Sequence, residues 1–161
     1  GTYFGNKDDL FRAALGEVYG EIRARERALN LGNLPPMKAM ERLIAFSFDY
    51  LLEHPEFIAL LNDENRFGAL HVSGSAEVRS MNSPLVELIG ETLVRGVREG
   101  VFRKDMDPIN LYISIAGMSY FFFSNNRTLS AVFGKDLGTP RAVSARRRHV
   151  TKFAMAALRP D

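Results

Sequence analysis

The sequence predicts an all-α domain, and three observations carry that expectation. Apolar residues recur at steps of three and four along most of the chain, and no segment alternates with the period of two that a half-buried strand needs. Ser83-Pro84, Asp107-Pro108 and Thr139-Pro140 each couple a helix-capping residue to a proline suited to the first turn. Glycine and proline fall between the helical runs rather than inside short paired ones.

Taken in order, about seven helices are expected. The first spans residues 7–29, with Asn6 as its N-cap and Asp9 favoured by the helix dipole in the first turn. Leu10, Phe11, Ala14, Leu15, Val18, Tyr19 and Ile22 recur along it, and the alternating charges of residues 21–27 mark a solvated face. Leu31-Gly32-Asn33-Leu34-Pro35-Pro36 ends it, because Gly and Asn suit a C-cap and proline cannot continue a helix.

A second helix over 36–53 has Met40, Leu43, Ile44, Ser47, Leu51 and Leu52 as its inner stripe. His54-Pro55 breaks it and opens a third helix over 56–67, apolar in front and polar behind. Residues 68–75 read as a loop and 76–81 as a short helix. A helix over 85–99 follows, with Leu85, Leu88, Ile89, Leu93 and Val97 inward and Gly100 as C-cap. The strongly apolar run 109–124 reads as a helix buried on most sides. Shorter and longer helices over 128–133 and 140–158 complete the chain.

Composition narrows the function. Hydrophobic content of 46% and charged content of 25% are ordinary for a globular domain. With no cysteine there is no disulfide framework, thiol catalysis or cysteine-bound zinc, which suits a reducing cytoplasm. The net charge of +2 is too small to point to nucleic acid by itself. The apolar run 109–123 holds Asn110, two serines and Gly117, and falls short of the roughly 20 apolar residues of a membrane span.

Enzyme signatures are missing. His54, His71 and His149 lie far apart, none in a zinc-hydrolase or di-metal spacing. No glycine-rich phosphate loop or nucleophile elbow is present. Asp63 and Glu64 are adjacent and so point to different faces of a helix, a poor acid–base pair. Neither catalysis, a cofactor nor a metal is therefore expected.

The opening residues carry a resemblance. Tyr3-Phe4 followed by Lys7 and Leu10 resembles the junction in TetR-type regulators where the DNA-recognition helix ends and a long connecting helix begins. Downstream, His54-Pro55-Glu56-Phe57, the segment Leu-Val-Arg-Gly-Val-Arg-Glu-Gly-Val-Phe-Arg over 93–103, and Asp107-Pro108 before a long apolar helix follow the order usual in the family's C-terminal domains. One departure is that Thr2 runs straight into Tyr3, where members have a few more residues.

The resemblance implies residues 1–31 as the edge of a helix-turn-helix domain with its connecting helix, the rest of that domain lying outside the sequence. It implies residues 32–161 as a ligand-binding and dimerisation domain. By the same resemblance Lys7 and Tyr3 contact the DNA backbone; a lysine at a helix start also suits an anion. The implied function is a cytoplasmic repressor released from its operator by an unidentified small molecule.

Polar residues beside apolar helix faces are the ligand-pocket candidates: Asn62, Asn65, Arg66, His71, Tyr112, Ser119 and Tyr120. The aromatic-rich late helices cannot hide all their rings in a domain of this size. A homodimer is therefore expected, through Met118, Phe122, Val143, Val150, Phe153, Ala154 and Ala157, with two helices from each subunit. The basic run over 141–152 reads as a solvated or interface-rim face. A helical homodimer that binds partners without any effector is the alternative of a different class.

Overall fold

The computed structural model describes residues 3–66, Gly68 and residues 84–161, the side chains of 3–8, 11, 15, 18, 19 and 27 excepted. Among the described residues the chain is all helix, with no strand. The elements are α1 (Tyr3–Leu29), a 3-10 turn (Leu31–Asn33), α2 (Pro36–Glu53), α3 (Pro55–Arg66), α4 (Pro84–Arg98), α5 (Pro108–Ser124), α6 (Asn126–Phe133) and α7 (Pro140–Ala157). The expected loop over 68–75 and short helix over 76–81 fall outside the described residues, apart from Gly68.

The helix starts follow local chemistry. Asp107 accepts a hydrogen bond from the Asn110 amide at 2.8 Å, and Thr139 Oγ1 accepts one from the Ala142 amide at 3.1 Å. Each satisfies an amide that the first turn leaves without a partner. Gly100 takes a left-handed φ of 75° just past α4, as a C-cap glycine should.

At the other end the local signals lose. α1 begins at Tyr3, so Asn6 lies inside the helix and does not cap it. A capping asparagine and a helical glycine each shift the balance by about 1 kcal/mol, too little to fix a boundary against the rest of a long helix. α1 ends at Asn30, which adopts a left-handed φ of 52° ahead of the 3-10 turn, while Gly32 and Asn33 lie within that turn.

α2 is the centre of the bundle and packs on α3, α4, α5 and α7. Ala39, Met40, Leu43, Ile44 and Phe48 are almost wholly enclosed, and Phe46, Tyr50 and Leu51 are buried beside them. A helix apolar on so many sides has to sit inside. Leu52, expected on the inner stripe, is exposed, as is Leu10 on α1.

α5 is the more exposed of the two though the more apolar in sequence. Leu111, Ile115, Ser119 and Phe122 face inward, while Ile109, Ile113 and Phe121 are open. The helix buried on most sides is thus α2, and α5 keeps an apolar outer face. No helix among the described residues is long and apolar enough to cross a membrane.

Candidate functional site

α1 is a single helix of 27 residues that packs against α4, and two polar arrangements join it to the bundle. The first lies at the corner between α2 and α3. His54 separates these two helices, and its ring stacks on Tyr50 at 4.2 Å between centroids. Its Nε2 stands 3.2 Å from Glu21 Oε2 on α1, and its Nδ1 2.9 Å from Glu56 Oε1 on α3.

Arg25, one turn along α1, reaches Glu21 at 3.0 Å and Glu53 at 3.4 Å, and its guanidinium lies over the Phe46 ring. The carboxylates of Glu21 and Glu53 and the His54 ring bring donor atoms within 4.8 Å of one another. Arg25 already bridges both carboxylates, so the group is an ion-pair network with its own cation. The charged half of α1, expected as a solvated face, is in part this interface.

Electrostatics follow the geometry. Burial raises the Tyr50 phenol well above its usual range, and the negative charges of Glu21, Glu17 and Glu56 raise it further. For His54 burial pulls downward, but the hydrogen bond it donates to Glu56 and the charges of Glu21, Glu56 and Glu17 outweigh it and lift the imidazole above 6.5. Glu56 is held below the usual carboxylate value by its own backbone amide and by His54.

The second arrangement is a groove of about 590 Å³ where the end of α1 and the 3-10 turn meet α4. Arg23 and Glu26 line one wall, Glu91, Thr92 and Arg95 the other. Arg95 donates to the Leu31 carbonyl at 3.0 Å and to the Leu34 carbonyl, so it fastens the turn to α4. Thr92 Oγ1 donates to Leu88 O at 2.7 Å. A second, more apolar groove of about 680 Å³ runs along α4 past Val94, Val97 and Met106.

Among the described residues, the sequence-selected pocket candidates border neither groove. Asn62 on α3 is bonded to Ser124 at the end of α5, Nδ2 to Oγ at 3.2 Å. Asn65 and Arg66 are exposed on the last turn of α3. Tyr112 and Tyr120 are half-buried on α5. Ser119 is fully enclosed, and its hydroxyl donates to Ile115 O at 3.2 Å, so it is a satisfied core group without a face for a ligand. His71 and the side chains of Tyr3 and Lys7 lie outside the described residues.

The proposed dimer residues divide. Phe122, Val150 and Ala154 are buried within the subunit itself, so they have no area to offer a second copy. Met118 and Val143 are partly buried against the core. Phe153 and Ala157 are open, Phe153 at 59%. Residues not singled out beforehand extend this face: Ile113 and Phe121 on α5 are 58% and 57% exposed, with Gly117 midway between them at steps of four. α5 and α7 pack together.

The basic run on α7 is also more than a solvated face. Arg147 grips Asp49 on α2 with two bonds of 2.8 and 2.9 Å. Arg146 donates to Met118 O at 2.9 Å and lies over the Phe122 ring, and burial pulls its guanidinium below its ordinary value.

Comparison with known proteins fits this architecture. A family model described as the tetracyclin repressor-like C-terminal domain matches residues 36–153, from the start of α2 to near the end of α7. The HTH-type transcriptional repressor NicS of Pseudomonas putida is 32% identical over 157 residues, which cover 98% of this chain and 74% of that protein. The second match runs through α1 as well as the bundle. The chain belongs to the TetR family of transcriptional regulators.

Proposed function

We propose that this chain is the connecting helix and effector domain of a homodimeric, one-component repressor, released from its operator when a small molecule binds. The observation that carries the reading is the similarity to a helix-turn-helix repressor along almost the whole chain, α1 included. Residues 1–31 then belong to the DNA-reading side and its connecting helix, and 32–161 to the effector and dimer domain. Lys7 and Tyr3 serve as DNA-backbone contacts, which fix position without reading sequence. The cytoplasm is the compartment this work requires.

The mechanism needs α1 as a lever. It is tied to the bundle by Glu21 and Arg25 at the α2–α3 corner and packs against α4. A ligand that favours one setting of α4 or α3 biases α1, and through it the spacing of two recognition helices. Half-sites one turn apart demand a separation of about 34–36 Å, so a modest swing is enough to lose the operator. The ligand acts only through its differential affinity for the two settings. Asn62, Asn65, Arg66, His71, Tyr112 and Tyr120 are the polar contacts assigned to it.

For dimerisation the open faces of α5 and α7 are assigned, around Ile113, Phe121 and Phe153, with Met118, Val143 and Ala157 at their margin. Two helices from each subunit would make a four-helix interface.

A thermal-shift screen of small metabolites on the full-length protein tests the effector, since a ligand of the folded state raises Tm by mass action. A stabilising compound should also weaken binding to promoter DNA. Stabilisers that leave DNA affinity unchanged would overturn the release mechanism and favour a dimer that works without an effector.

A further inference from the structure

We propose that His54 is a proton-operated clamp, closed when its ring is charged, that holds α1 against the α2–α3 corner. Its two ring nitrogens face carboxylates on two different helices: Nε2 is 3.2 Å from Glu21 on α1, and Nδ1 is 2.9 Å from Glu56 on α3. A neutral imidazole has one N–H and one lone pair. Facing two carboxylates, it would set its lone pair against one of them. The imidazolium hydrogen-bonds Glu56 and presents its positive charge to Glu21 as an ion pair, so this geometry suits the charged ring.

The surroundings hold the ring in place and weight the balance. The Tyr50 ring stacks on it at 4.2 Å, and its side chain is only 20% exposed. From α1 it is faced by Glu17, Glu21 and Arg25, from α2 by Tyr50 and Glu53, and from α3 by Glu56. Arg25 is the opposing positive charge, but its guanidinium is shared between Glu21 and Glu53. Tyr50 stays neutral throughout, because burial and the same carboxylates push its phenol upward. The net effect on His54 is a value above the ordinary 6.5.

The direction of the pH response follows. A folded-state value above the unfolded one means that the clamp contributes fully below about pH 6.5 and is lost as pH rises through the folded value. Deprotonation sacrifices either the Glu21 or the Glu56 contact. If Glu21 is released, α1 loses its tie to His54 and keeps the contacts of Arg25 with Glu53 and the Phe46 ring. The consequence for DNA affinity rests on the lever reading given above; the clamp itself does not.

Two measurements on the full-length protein test it. Nitrogen-15 NMR of His54 over about pH 5 to 9 should give a midpoint above 6.5, with both nitrogens protonated below it. Glu21→Gln and Glu56→Gln should each lower that midpoint. Separately, the Tm gap between the wild type and His54→Gln should be widest at acid pH and close towards alkaline pH. A midpoint at or below the ordinary value, or a Tm gap that does not change with pH, would overturn the clamp. Neither readout involves DNA, so failure here leaves the repressor reading intact. Absent operator binding in the unaltered protein would sink that reading without touching the clamp.

Discussion

The Phe102 ring occupies the space that a side chain on Gly96 would need: a Cβ at Gly96 would lie 1.9 Å from Phe102 Cδ2. Phe102 itself is 3% exposed, and the chain folds back so that the amides of Val101 and Phe102 both bond to Gly96 O. The segment 93–103, which reads in sequence as a family cadence, is thus a glycine seat for a buried aromatic ring.

Gly96→Ala should therefore be strongly destabilising. The ring is enclosed and cannot swing aside, so overpacking should cost on the order of 3 kcal/mol, against at most about 1 kcal/mol gained from helix propensity. Chemical denaturation measures it. Pairing the change with Phe102→Leu should recover part of the loss, because the two side chains compete for one volume.

Arg147 and Asp49 join α7 to α2 across 98 residues of sequence with two parallel bonds. Both side chains are partly exposed, which discounts the pair, but the two-pronged geometry places it near the top of the surface range, about 1 kcal/mol. A double-mutant cycle with Asp49→Ala and Arg147→Ala should return a coupling of that order. It should shrink in high salt.

Asp107→Ala and Thr139→Ala each remove a side chain that accepts from a first-turn amide. Each should lower stability by about 1 kcal/mol, read as a shift in the denaturation midpoint at constant slope. Asn6→Ala should cost nothing as a cap, since Asn6 lies within α1.

Phe121→Glu and Phe153→Glu place charge on the open faces of α5 and α7. Sedimentation analysis should show each variant as a folded monomer where the wild type is a dimer. Phe122→Glu should instead unfold the subunit, because that ring is buried within it.

What the sequence revealed well was local. The bounds of α2 are the expected ones, and α4, α5 and α7 begin at their prolines, because caps and first-turn prolines act over three or four residues. Which apolar helix sits at the centre was not legible. α5 is richer in aromatics, yet α2 is the enclosed one, since burial depends on how many neighbours surround a helix and not on its own composition.

The site was less legible still. His54 read as a helix break, and its meeting with Glu21 depends on how α1 lies across the corner. Only the spacing of His54 and Glu56 across Pro55 hinted at a local pair. Val150 and Ala154 share an apolar stripe on α7 with Phe153 and Ala157 in sequence, but the helix turns the first two inward and leaves the others open.

Operator binding is the property on which the repressor reading stands. A salt series of fluorescence-anisotropy titrations of the full-length dimer against DNA from its own promoter tests it most directly. Promoter DNA should bind at least about 10³-fold tighter than unrelated DNA, with affinity falling steeply and linearly on a log–log plot against salt. Equal, weak affinity for promoter and unrelated DNA at every salt concentration would contradict it.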